Sequence, residues 1–246
     1  MRLKLIACQV FTREIEHVLA HSPHRADLEI IPMGLHSLGT EMRPHLQERI
    51  DAADALGYDA ILLGYGLCGR GTDGLCARRT RLILPRAHDC IGVLMGSRQR
   101  YAEYFADHPG VYYRSPGWVE FQTPDLKLEP AFPSQKSGFI EMSSLDELIA
   151  KYGEDNGRYL FEQYSSFRRH YSGLTYISTG IASDDTCRAL ALAEAAQNQW
   201  AFDEVAGSLS ILDRLVNGPW DDADFLVIPP GGQIHATLNE GIVEAA

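Results

Sequence analysis

Asp59-Ala-Ile-Leu-Leu-Gly-Tyr-Gly-Leu-Cys-Gly69 and Arg81-Leu-Ile-Leu-Pro-Arg-Ala-His-Asp-Cys90 decide how this chain is read. Each holds a short apolar run, Ala60–Leu63 or Leu82–Leu84, that ends at glycine or proline and is followed by a cysteine. Apolar runs of this length, bounded by turn residues, read as buried strands. The opening Leu3-Lys-Leu-Ile-Ala-Cys8 has the same form, so Cys8, Cys68 and Cys90 each follow a strand. If those strands are parallel neighbours, three thiols converge on one rim of one sheet.

Working outward, the first part of the chain alternates strands with helices. Phe11, Ile15, Val18 and Leu19 recur at helical spacing, Asp27–Pro32 is a second strand, Thr40–Leu56 a second helix stopped by Gly57, and Tyr58–Gly64 the third strand. That β-α-β-α-β order is the pattern of a parallel sheet with covering helices. Arg81–Pro85 adds a fourth strand, and a helix over about Gly92–Ala106 begins just beyond Cys90. Residues 107–143 are rich in proline and aromatic residues and read as an irregular excursion, of the kind that forms lids, oligomer contacts or plain surface insertions.

From Ser144 a helical region reaches about His170, and the earlier layout then returns. Leu174–Ser178 stands where Leu3–Ala7 stood, Ala201–Val205 where Leu28–Ile31 stood, and Asp224–Ile228 where Ala60–Leu63 stood, with helices over Asp184–Trp200 and Leu209–Asn217. Any two such runs match loosely, so pseudo-symmetry is one reading and coincidence the other. The predicted fold is α/β, with two Rossmann-like parallel-sheet halves over 1–106 and 144–246 and a cleft outside the carboxyl ends of their strands.

The 246 residues are 45% hydrophobic and carry a net charge of −11 with a sequence pI near 5.2. That balance argues against nucleic acid or an anionic membrane as partner. Arg70, Arg78, Arg79, Arg81 and Arg86 cluster beside the cysteine loops, where they either bind an anionic substrate or form a solvated face. No run approaches the ~18 apolar residues of a membrane span, and the opening does not read as a signal peptide, so a cytoplasmic protein is expected. Five widely spaced cysteines do not describe a disulfide framework.

Thiolates are preferred ligands of zinc and of iron–sulfur clusters, and three protein ligands leave one coordination position open for substrate. Cys8, Cys68 and Cys90 therefore suit a metal centre, although no Cys-x-x-Cys occurs and simple burial or a nucleophilic cysteine accounts for them as well. His88 and Asp89 adjoin Cys90 as a candidate ligand or base and its orienting carboxylate, with a helix N-cap as the other reading of Asp89. His36 and His235 follow strand ends and are expected to face the same crevice. Gly66, Gly69, Gly231 and Gly232 allow positive φ and close backbone approach to a ligand, or simply tight turns. Gly64-x-Gly-x-x-Gly69 formally matches the dinucleotide fingerprint, but the next segment is Arg70-Gly-Thr-Asp-Gly rather than a helix. Ser183 or Asp184 reads as a helix N-cap, and Cys76 and Cys187 as packing residues in helical contexts.

Leu5-Ile-Ala-Cys8, Tyr65-Gly-Leu-Cys-Gly69, Arg86-Ala-His-Asp-Cys90 and Ser115-Pro-Gly-Trp118 together resemble a bacterial and archaeal family of uncharacterised domains whose genes often lie near those of corrinoid-dependent methyltransferases and of methylamine or betaine use. The resemblance directs attention to Cys8, Cys68, His88 and Cys90 and implies one-carbon metabolism. The combined expectation is a metal-dependent enzyme or accessory protein with a transition metal, zinc ahead of a [4Fe–4S] cluster, acting on a small anionic or methylated-amine substrate. A non-catalytic binding module with an aromatic cage drawn from Tyr65, Tyr112, Tyr113, Trp118 and Phe121 is the alternative, as is a cysteine nucleophile. A homodimer paired through the aromatic excursion is also expected.

Overall fold

In a computed structural model, residues 1–33, 42–123, 145–166, 170–181 and 184–246 are described. The first sheet is built on β1 (Arg2–Cys8), which lies between β2 (Arg25–Ile31) and β3 (Ala60–Gly64), both parallel to it. β4 (Leu82–Pro85) continues the parallel series beside β3. The three strands that precede Cys8, Cys68 and Cys90 in the reading of the sequence are thus adjacent and parallel, the condition on which the shared rim depended. Gly64 sits opposite Ala7, and a Cβ there would lie 2.6 Å from the Ala7 Cβ, so the residue closing β3 has to be glycine.

Helices α1 (Thr12–Ala20) and α2 (Met42–Asp54) follow β1 and β2. A 3-10 turn over Gln9–Phe11 joins Cys8 to α1. The helix expected over about Gly92–Ala106 is two helices, α3 (Cys90–Met95) and α4 (Arg98–Asp107). Gly96 breaks it with φ of +79°, and the Ser97 hydroxyl restarts it by accepting the Arg100 N–H at 3.1 Å.

The excursion holds regular structure: β5 (Val111–Arg114) and α5 (Pro116–Gln122). β5 is too short and too close to proline to announce itself by alternation, and it gains its place by pairing with β6 (Gly173–Ser178). Between them the chain runs through α6 (Leu145–Tyr152) and α7 (Glu154–Ser166), divided at Gly153. α8 (Asp184–Gln197) connects β6 to β7 (Ala201–Ala206), completing a second, three-stranded parallel sheet in the order β5-β6-β7.

α9 (Ser210–Asn217) then leads to β8 (Phe225–Ile228), which departs from the layout expected by repetition. It does not join the second sheet. It runs antiparallel to β4 and closes the first sheet in the order β2-β1-β3-β4-β8. β9 (Ile234–Ala236) and β10 (Val243–Ala245) form a separate hairpin. Arg86 secures this region, donating to the carbonyls of Phe225, Gly241 and Val243 and pairing with Asp222 at 2.6 Å.

The main core lies on the first sheet, where β3 and β4 are buried along their whole length between α1, α2, α3 and α9. Burying one such Leu or Ile contributes roughly 1.5–3 kcal/mol, so these strands anchor the loops beyond their carboxyl ends. A smaller core under α5 and α8 joins Val119, Leu174, Tyr176, Cys187, Ala191 and Ala195. Among the described residues no helix is long and apolar enough to cross a membrane.

Candidate functional site

Cys8 ends β1, Cys68 stands four residues past β3, and Cys90 opens α3 after β4. Two backbone hydrogen bonds join the last two loops, Leu67 N–H to the Ala87 carbonyl and Cys68 N–H to the His88 carbonyl, both at 2.8 Å. Gly66 makes that approach possible, because a Cβ there would lie 2.7 Å from the Ala87 carbonyl oxygen and 2.8 Å from the Asp89 nitrogen. Cys68 itself has φ of +49°. Side chains seldom adopt that left-handed conformation, and it costs on the order of 1 kcal/mol. Thr72 braces the loop by donating its hydroxyl to the Gly66 carbonyl at 3.2 Å.

The three thiols are buried, and Cys68 and Cys90 are each influenced by other thiols of the rim. Burial pushes the Cys8 thiol up to about 12, opposed by the Val10 backbone bond. Burial raises Cys68 far above the ordinary thiol range, and the charges of Cys90, Cys8 and Asp89 raise it further. Cys90 is raised by burial, then by Asp89 and Cys8, while the indole of Trp118, donating Nε1–H to its sulfur at 3.4 Å, acts in the opposite direction. Without a nearby cation this rim holds neutral thiols, which are poor nucleophiles. A bound cation would reverse that order and take the thiols as thiolates.

α5 roofs the rim. Pro116 starts the helix, a Cβ on Gly117 would overlap the Val10 carbonyl oxygen, and the helix therefore rests directly on the turn after Cys8. Trp118 is thereby delivered to Cys90, and Glu120 pairs with Arg13 of α1 at 2.7 Å. Tyr101 and Tyr113 stand beside this roof with ring centroids 6.3 Å apart, and the Tyr101 hydroxyl lies 3.4 Å from Asp89 Oδ2. The expected ring set divides: Tyr112 faces the other side of β5, against Tyr171, Trp200 and Arg114.

The remaining candidates have other places. Asp89 is the N-cap of α3, its Oδ1 accepting from Ile91 N–H at 3.0 Å and Gly92 N–H at 3.1 Å. The His88 side chain is exposed. His235 lies in β9, close enough to Asp73 for its charge to favour that carboxylate. His36 and Ser183 lie outside the described residues. Gly69, with φ of +61°, turns the loop. Gly231 and Gly232 hold the segment 76–78 through backbone bonds to Ala77 and Arg78, on a turn that no described contact links to the thiols. Cys76 lies in a β-bridge with Gln233 rather than in a helix, whereas Cys187 is buried in α8.

No helix comes after Gly69, only turns, so the glycine pattern does not have the context of a dinucleotide site. The arginines beside the loops are engaged within the chain: Arg70 with Asp73, Arg78 with Asp51, Arg79 with Asp54, Arg86 with Asp222, and Arg81 with the Asp59 carbonyl and the Trp220 ring. Glu14 was not signalled as a site residue, although it shares the helical stripe of Phe11, Ile15 and Val18 and is fully buried. A charged residue on an apolar stripe was the signal available.

A first sheet of four parallel strands with one antiparallel edge, a second parallel sheet, interleaved helices, and three buried thiols at or just beyond neighbouring strand ends define an α/β protein whose candidate chemistry lies at the carboxyl edge of its first sheet. The chain belongs to the family described as "Protein of unknown function (DUF1638)", whose model matches residues 30–216. Comparison with curated proteins and with solved structures gave no match.

Proposed function

We propose that Cys8, Cys68 and Cys90 form a metal-binding centre, with zinc favoured over an iron–sulfur cluster, in a metal-dependent enzyme or accessory protein. The observation that carries this reading is the placement of three buried thiols at or just beyond the carboxyl ends of three adjacent parallel strands, where Cys8 and Cys90 raise the cost of ionising Cys68 and Cys8 raises that of Cys90. Such a set either stays protonated or takes up a soft cation, and thiolate ligands select zinc, copper(I) and iron–sulfur centres. Among the described residues no three His, Cys, Asp or Glu side chains stand ready to hold an ion, so uptake requires the thiols to turn toward one another.

Bound there, a metal would supply Lewis-acid activation of a thiol, amine or water. The chain's own residues supply the rest: Trp118 stabilises negative charge on Cys90, the Gly66 contact fixes the spacing of the two loops, and α5 shields the centre from water. The resemblance drawn from the cysteine motifs adds the setting, one-carbon metabolism with a methylated-amine or corrinoid-linked substrate. A second reading, a binding module for an organic cation, draws support from Tyr101 and Tyr113 beside the Asp89 carboxylate, since cations bind over aromatic faces.

Protein purified without air, and its Cys68→Ala variant, test the proposal by elemental analysis and absorption spectroscopy. About one metal equivalent, lost in the variant, is expected. Metal-free protein that takes up neither zinc nor cobalt would overturn the metal reading.

A further inference from the structure

The carboxyl ends of the second sheet run into the helices of the first. Gly207 N–H donates to the Ser178 carbonyl and Ser208 N–H to the Leu94 carbonyl, while Thr179, just past β6, meets Glu14 of α1. Glu14 Oε1 accepts the Thr179 hydroxyl at 3.2 Å. Its Oε2 is buried and without a hydrogen-bond partner. Buried carboxylate oxygens are rarely left so, because the desolvated charge is costly unless paired.

Among the described residues the surrounding charges do not pair it. On α1, Arg13 is taken by Glu120 and Glu16, and His17 is exposed. Glu120 of α5 and Asp184 of α8 are themselves acidic, and both disfavour the Glu14 carboxylate. Asp184 already accepts from Tyr176, Ser178 and Gly180. α9 also packs on α1, but its Arg214 is engaged with Asp221 and Asp224. Burial is the largest effect on Glu14, ahead of those acidic neighbours, and lifts its carboxyl to about 7 against the pull of its own N–H and of Thr179.

We propose that Glu14 is a proton-operated latch between the two sheets. Neutral, it seats α1 against the end of β6. Ionised, it draws in water and loosens that contact. Arg13, its neighbour on α1, grips α5 through Glu120, so loosening reaches the helix that roofs the thiols. The latch does not depend on whether those thiols bind metal.

The test is hydrogen–deuterium exchange of the full chain at pH 6 and pH 8, corrected for intrinsic rates, measured in peptides covering residues 10–20 and 173–181. A carboxyl held near 7 when latched and near its ordinary value when open makes opening about tenfold more favourable over that interval. Glu14→Gln keeps the shape and removes the titration, so its protection should be unchanged between the two pH values. Thr179→Val removes a bond that favours the carboxylate, so the midpoint of loosening should move to higher pH. Exchange in the native chain that is flat across this interval, or that rises equally in Glu14→Gln, would overturn the latch. A Thr179→Val midpoint that stays put would overturn the role of that hydrogen bond in it.

Discussion

Gly66→Ala tests the geometry that joins the two cysteine loops. The added methyl would lie 2.7 Å from the Ala87 carbonyl oxygen and 2.8 Å from the Asp89 nitrogen, where ordinary contact begins at 3.4 Å. Both obstructing atoms are backbone, so neither can rotate away, and the loops must part by roughly 0.7 Å at their closest point. The two hydrogen bonds at 2.8 Å that join Leu67 to Ala87 and Cys68 to His88 would stretch to the edge of bonding range. Losing both is worth about 2 kcal/mol net, and the overpacking itself about 1–3 kcal/mol. Urea unfolding should therefore report a loss of about 3–5 kcal/mol at unchanged m-value. Gly69→Ala is the control: nothing lies within 4 Å of its added methyl, and only the φ of +61° opposes it, a cost of about 1 kcal/mol. If Gly66→Ala unfolds no more easily than Gly69→Ala, the two loops are not held as described.

Three other perturbations probe the contacts around the rim and between the sheets. Trp118→Phe removes the N–H that favours the Cys90 thiolate, so zinc uptake, titrated against a chelator, should need a higher pH than in the native chain; an unchanged midpoint would rule out that bond. Glu14 is raised from 4.5 to about 7 in the folded chain, so the folded state holds a proton that the unfolded state has released. Its contribution is complete below about pH 4.5 and lost as pH rises to about 7, a change of about 3 kcal/mol that denaturation of Glu14→Gln alongside the native chain should fail to show in the variant. Arg114→Leu leaves the partly exposed Glu194 carboxylate without the guanidinium that now holds it at 2.7 and 2.8 Å, and should cost about 1–3 kcal/mol by thermal or urea unfolding.

Strand–cysteine spacing made the rim legible in the sequence, because an apolar run that stops at glycine or proline fixes where a buried strand ends and what comes next. That β1, β3 and β4 are neighbours is a matter of strand order, which the runs left open. Of the two readings of Asp89, the cap is seen directly, because Ile91 and Gly92 present N–H groups that need an acceptor. Two features lay beyond local pattern. Val111–Arg114 is a strand only because β6 pairs with it, and Phe225–Ile228 pairs with β4 rather than with the second sheet; partner choice is a tertiary property that alternation does not encode. Trp118 was visible in its motif, but its path to Cys90 depends on α5 resting on the Val10 carbonyl.

The pairing of β8 with β4 also dictates when the first sheet can be finished. Pro85 meets Phe225 across that ladder, so the second sheet and its helices must be synthesised before β4 gains its outer neighbour. During that interval a nascent chain carries Leu82–Pro85 as an open edge, able to template pairing with other chains. A contact spanning so much sequence also pays its loop-closure entropy late, which makes closure of this edge a slow step in refolding from denaturant.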